Sequence, residues 1–188
     1  MRCTQIFLLV ILLISITNVN GQDRMCKCID DKGIIVGYNN TGYQISMPSE
    51  DAGQYYNNGF MIGLFADVEL SERFHVQPEF LYTMSFSNGL DFNTIAIPVI
   101  AKFFITDKVS LQAGPMFDVI LDRTFMGNSG INFMAGVGVN ITEGIAVTAR
   151  YSQSLTSRGY TYRNESINYD FNYFQVGLAF RLWKKPGF

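Results

Sequence analysis

Apolar and polar residues alternate along most of this chain, and the alternation runs longest over residues 94–122. A period of two places every second side chain on the same face of a strand. Ile95, Ile97, Val99, Ala101, Phe103 and Ile105 share one face, and after Thr106-Asp107-Lys108 the residues Val109, Leu111, Ala113, Pro115, Phe117, Val119 and Leu121 do the same. The spacing predicts a long β-hairpin with one apolar side. Its other side carries Lys102, Thr106, Ser110, Gln112, Gly114, Asp118 and Asp122, which is more charge than an ordinary core holds. Such a side either faces water or lines a barrel whose apolar side faces lipid.

The same polarity recurs on both flanks of that hairpin. Residues 33–43 read as a weakly alternating first strand, and 44–58, with Pro48, Gly53 and Asn57-Asn58, as a loop. In the second strand Phe60, Ile62, Leu64, Ala66, Val68 and Leu70 oppose Gly63, Asp67 and Glu69. In the third, Phe74, Val76, Pro78, Phe80, Tyr82, Met84 and Phe86 oppose His75, Gln77, Glu79, Thr83 and Ser85. Beyond a loop at 123–130, Ile131, Phe133, Ala135, Val137, Val139 and Ile141 alternate with Asn132, Gly136, Gly138 and Asn140. Ile145, Val147, Ala149 and Tyr151 then oppose Thr148, Arg150, Ser152 and Ser154. Residues 155–172 form a Tyr- and Asn-rich stretch, whose Tyr160, Tyr162, Tyr169 and Tyr173 are expected to extend the last hairpin. The last strand sets Phe174, Val176, Leu178, Phe180 and Leu182 against Gln175, Gly177, Ala179 and Arg181. Helical spacing fits none of these segments as well.

Eight strands result, joined by short turns at 71–73, 106–108 and 142–144 that alternate with longer loops at 44–58, 87–91, 123–130 and 155–172. Transmembrane barrels show this asymmetry, with short periplasmic turns and long external loops. The expected fold is all-β, an eight-stranded antiparallel up-and-down transmembrane β-barrel with both termini on the periplasmic side.

The N-terminus strengthens that expectation. Met1-Arg2, an apolar run over 6–16 and the small, polar residues up to Gly21 have the layout of a secretory leader, too short to span a bilayer. The expected organisation is a signal peptide at 1–21, a periplasmic lead-in at 22–32, the outer-membrane barrel at 33–183 and a tail at 184–188. After the leader no apolar run reaches the length of a spanning helix, and a membrane protein without such helices must be a barrel. Taking Arg2 from the 14 basic side chains leaves 13 against 16 acidic ones, a net charge of −3, with no basic patch for nucleic acid. Cys26 and Cys28 remain as a terminal pair with no second ligand pair to make a zinc site.

An eight-stranded barrel is filled by its own side chains. By the alternation its interior holds Asp67, Glu69, Glu79, Asp118 and Asp122 against Lys102, Arg150 and Arg181, with His75 near a short turn. Buried charges are tolerated when they pair, so the expected arrangement is an ion-pair network that plugs the lumen. No Gly-x-Ser-x-Gly elbow is present and the one histidine lies beside a short turn, so no catalytic residue, cofactor site or metal site is expected. The expected partners are outer-membrane lipid and, through the external loops, another protein of the envelope. Two alternatives remain: a secreted lipocalin-type barrel holding a small apolar ligand, and a narrow outer-membrane pore. The first would put its apolar face inside and its charges outside.

Ile97-Pro98-Val99-Ile100-Ala101-Lys102-Phe103-Phe104, followed by Val109-Ser110-Leu111-Gln112-Ala113-Gly114-Pro115, resembles the signature of the PorT-like outer-membrane β-barrel proteins of Bacteroidota. Gly136-Val137-Gly138-Val139-Asn140, Ala149-Arg150-Tyr151-Ser152 and Gln175-Val176-Gly177-Leu178 resemble that family's later strands. The resemblance spans about 59–183 and implies an eight-stranded outer-membrane barrel, usually without enzymatic activity or cofactor. Some of those relatives take part in protein secretion. The chain departs from many outer-membrane barrels in its Lys184-Lys185-Pro186-Gly187-Phe188 ending.

Overall fold

The computed structural model describes residues 31–46, 51–86, 91–121, 128–162 and 165–184. The leader, Cys26, Cys28, Asp122 and residues 185–188 lie outside them. Nine strands follow in order: β1 (Asp31–Ser46), β2 (Asp51–Ser71), β3 (Phe74–Phe86), β4 (Phe92–Phe104), β5 (Val109–Ile120), β6 (Ser129–Asn140), β7 (Ile145–Ser154), β8 (Arg158–Tyr162) and β9 (Glu165–Lys184). Each of β1 to β7 pairs antiparallel with its sequence neighbour, β7 pairs with β9, and β9 pairs with β1. The result is a closed eight-stranded antiparallel barrel. Closure leaves the barrel wall without a free sheet edge, so that backbone groups pair between neighbouring strands, as a lipid environment demands.

The side chains sort as the period of two requires. Phe60, Ile62, Leu64, Phe80, Ile97, Val99, Phe103, Leu111, Phe117, Phe133 and Leu178 lie exposed on the outer wall. Between them on the same strands, Gln77, Glu79, Lys102, Gln112, Asp118, Arg150 and Gln175 are buried in the lumen. An apolar exterior around a polar interior inverts the soluble ligand-carrying barrel. Strands β3 to β7 have 10 to 13 residues, close to the roughly 9–11 that a tilted strand needs to cross a bilayer.

The short turns have a shared chemistry. Thr106 Oγ1 accepts from the backbone N–H groups of Lys108 (3.3 Å) and Val109 (3.0 Å). Thr142 Oγ1 accepts from those of Gly144 (3.2 Å) and Ile145 (3.0 Å) in the same way. A threonine hydroxyl that caps the donors two and three residues on holds a tight reversal. Asp31 and Lys184 are paired in register, so the ends of the described barrel meet at this short-turn end.

Two expectations change. The loop expected at 44–58 is mostly hairpin: β1 continues to Ser46 and β2 begins at Asp51, with Tyr43 paired to Tyr55 and Gln44 to Gln54. The ring centroids of Tyr43 and Tyr55 are 5.2 Å apart and stacked. Above the apolar belt neither strand face meets lipid, so the polar-apolar alternation fades while the pairing persists. The stretch at 155–172 likewise holds β8 and the first part of β9, paired from Arg158–Tyr169 to Tyr162–Glu165. The last hairpin is thus extended, but Tyr173 leaves that surface and is buried in the lumen.

Candidate functional site

Among the described residues, the lumen is where charged groups gather away from water. Six charged residues are buried among those described, and they balance: Asp67, Glu79 and Asp118 against Lys102, Arg150 and Arg158. They fall into separate clusters along the barrel.

The first lies nearest the short turns. Lys102 Nζ donates to Asp67 Oδ2 at 2.7 Å, and His75 Nδ1 lies 3.0 Å from Asp67 Oδ1. Strand pairing sets this up, because His75 and Lys102 are register partners on β3 and β4. The His75 ring packs against Phe104 with centroids 4.8 Å apart. Glu69 is half-buried and faces His75 in register. Arg181 sits at the mouth rather than inside. Its Nε is 3.2 Å from Asp31 Oδ2, its Nη1 donates to the Glu143 carbonyl (2.7 Å) and its Nη2 to Asn140 Oδ1 (2.8 Å). Asp31, Asp67, His75, Phe104, Asn140 and Arg181 line a polar vestibule of about 370 Å³. A second space, lined by Gln77, Lys102, Gln112 and Thr148, shares Phe104, Asn140 and Arg181 with it and measures about 10 Å³. That is roughly enough for one water molecule.

Deeper in, Arg150 spans the lumen. Its Nη1 donates to Glu79 Oε2 at 2.8 Å and its Nε to Gln112 Oε1 at 2.7 Å, while Gln77 donates to the other Glu79 oxygen. Neither ion-pair partner is reached by solvent, with side-chain exposures of 1% and 0%.

Large apolar side chains come next along the strands. On β5, Met116 stands between Gln112 and Asp118; on β6, Met134 stands between Gly136 and Asn132; on β3, Leu81 follows Glu79. With Ile35, Met61 and Ile100 they form one buried cluster. The sequence reading named charged residues for the interior and did not single out these apolar ones, so the cluster adds to it. Methionine fills irregular gaps between neighbours without a polar atom to satisfy.

The last cluster lies toward the long-loop end. Asp118 accepts from Arg158, from Tyr173 Oη at 2.7 Å and from Asn132 Nδ2 at 2.6 Å. The Arg158 guanidinium also lies 4.7 Å from the centre of the Phe171 ring, a cation–π contact. Phe171 packs in turn against Tyr43 and Phe92. Gly130 makes room for Arg158, since a Cβ there would fall 2.3 Å from its Nη2.

Of the expected lumen residues, Asp67, Glu79, Lys102, Asp118 and Arg150 are buried inside, Glu69 and Arg181 lie at the mouth, and Asp122 is outside the described residues. Arg158 and Asp31 were not singled out by the sequence, and Tyr173 was expected in the last hairpin and not in the lumen. For Arg158 a signal existed, because it continues the inward parity of Thr148, Arg150, Ser152 and Ser154. No group of three His, Cys, Asp or Glu residues that could hold a metal occurs among the described residues. No helix there is long and apolar enough to cross a membrane, which says nothing of strands.

Residues 9–181 match the family described as outer membrane protein beta-barrel domain. The chain belongs to that family. As a member of the outer membrane protein beta-barrel domain family, it is an integral protein of the bacterial outer membrane, in contact with its lipid. No curated protein matches its sequence. Among solved structures it is similar to Ail, the attachment invasion locus protein of Yersinia pestis, at 16% identity, covering 82% of this chain and 99% of that one with a TM-score of 0.49. OprG from Pseudomonas aeruginosa is similar at 9% identity, covering 85% and 99%, TM-score 0.48. Neisserial surface protein A is similar at 12% identity, covering 79% and 97%, TM-score 0.45.

Proposed function

We propose that this protein is a closed scaffold of the outer membrane, whose lumen is plugged by its own side chains and whose long-loop end is displayed outward for contact with another component of the envelope. The observation that carries the proposal is the filling of the lumen: three acidic side chains against three basic ones, interrupted by Ile35, Met61, Leu81, Ile100, Met116 and Met134. Charges held this way serve the barrel rather than a passing solute, and the apolar cluster offers hydrated ions nothing to coordinate them. In this reading the short turns face the periplasm, 1–21 is a cleaved leader, 22–32 a periplasmic lead-in and 184–188 a tail. The resemblance to the PorT-like barrels of Bacteroidota supports a role through contact and not catalysis, as does the one histidine, held by Asp67 at the short-turn mouth.

The test of display is labelling on intact cells, in a variant whose Cys26 and Cys28 are replaced by serine. Cysteine at exposed Tyr56 is expected to react with a membrane-impermeant maleimide, and cysteine at Asp107 only after the outer membrane is permeabilised. A photo-crosslinker at Tyr56 is then expected to give a discrete protein adduct. Labelling in the opposite sense, or adducts with lipid alone, would contradict the proposal.

A further inference from the structure

Strands β2 to β7 and β9 all contribute residues to the space of about 10 Å³ that adjoins the vestibule. Every residue that lines it lies on a described strand. The register explains why polar groups converge there. Ser110, Gly138 and Thr148 stand side by side in one row across β5, β6 and β7, and Gln112 and Lys102 are partners on β5 and β4. Gly138 lets the Gln112 amide lie along the wall between the two hydroxyl-bearing residues, since a Cβ there would fall 2.1 Å from Gln112 Nε2. That amide donates to Ser110 Oγ at 3.3 Å and accepts from Arg150 Nε at 2.7 Å.

Three groups around the space keep hydrogen-bonding capacity in reserve. Thr148 Oγ1 is buried and has no partner among the described residues. Lys102 Nζ carries three N–H donors, one of which meets Asp67. Ser110 Oγ lies 3.5 Å from the Gly138 carbonyl, the outer limit of a hydrogen bond. Buried polar atoms in native proteins find a partner in protein or in ordered water.

We propose that this space is a binding site for one ordered water molecule, which accepts from Lys102 Nζ and donates to Thr148 Oγ1 and Ser110 Oγ. A polar space of this size with several polar partners is what a buried water needs. Through it the Lys102–Asp67 pair joins the Gln112–Arg150–Glu79 network, so the two charged clusters form one hydrogen-bonded unit. A halide ion fits less well. It is larger than water, and with three acidic and three basic side chains buried it would leave an unbalanced charge in the lumen. A metal cation would meet the Lys102 ammonium. The inference deepens the plugged-lumen reading and rests on it, because a water held in one place needs a closed path beyond it.

The test uses crystals of the full-length protein grown in a lipid mesophase, with a parallel soak in sodium bromide. One density peak is expected within hydrogen-bond distance of both Thr148 Oγ1 and Lys102 Nζ, without anomalous signal from bromide. It should disappear in Thr148→Val, which keeps the side-chain shape and removes the hydroxyl. In wild-type protein in nanodiscs, labelled on threonine methyl groups, Thr148 should show a cross-relaxation peak to water with the sign of a long-lived molecule. That measurement stands whether or not the variant folds. Absence of both peaks, a bromide signal at the position, or a peak unchanged in Thr148→Val overturns the water site and leaves the plugged lumen standing. A continuous file of water peaks running past Arg150 and the Met116–Met134 layer to the long-loop end overturns the plugged lumen itself.

Discussion

Arg150 shows what a single residue contributes to this barrel. Its guanidinium is buried against Glu79 and Gln112, and removing one member of such a pair strands the other without water or partner. Arg150→Leu is expected to lower unfolding stability by about 3–5 kcal/mol, measured by denaturant titration of protein folded in lipid vesicles. Replacing Glu79 and Arg150 together by leucine should recover most of that loss, since no lone charge remains. A double variant as unstable as the single one would show that the pair is not the coupled unit described. The inward positions of Glu79 and Arg150 were legible because alternation alone puts them on the polar face. Their pairing with each other was not, since β3 and β7 are not neighbours in the sheet and meet only across the lumen.

At the scale of the strand, the two faces make opposite demands. Val99 on β4 points outward at 42% exposure, and Ile100 beside it points inward at 1%. A charge on a lipid-facing wall costs about 2–4 kcal/mol near the midplane. Val99→Arg is therefore expected to cost that much, read from the same vesicle titration, while Asp107→Arg on the exposed turn should leave stability within about 0.5 kcal/mol. Gly130 supplies a second case, because Arg158 occupies the space a side chain would need. Gly130→Val is expected to displace Arg158 from Asp118 and to speed amide hydrogen exchange in β8, leaving β2 to β4 unaffected; unchanged exchange in β8 would show that Arg158 does not pin it. Belt strands were readable because lipid outside and side chains inside impose a strict period. The outer parts of β1, β2, β8 and β9 were not, since outside the bilayer that contrast disappears and Asn, Tyr and Gly keep pairing without alternating.

For the whole molecule, closure, lipid-facing wall and filled interior belong together. The sheet closes through β1 and β9, the outer wall is apolar, and the interior charges balance. Eight strands leave space that side chains can fill, and Met116, Met134, Leu81 and Ile100 fill it where the charged clusters are interrupted. The alternation predicted a polar lumen but not this apolar cluster, because Met and Leu at inward positions look like breaks in the pattern when one strand is read alone. In the proposed plugged-lumen reading, the vestibule at the short-turn end is a blind recess and not one half of a channel. Single-channel recording of the purified full-length protein in a planar lipid bilayer tests this most directly: the barrel is predicted to insert without a stable conducting state, and a steady, reproducible open level would contradict the plugged lumen.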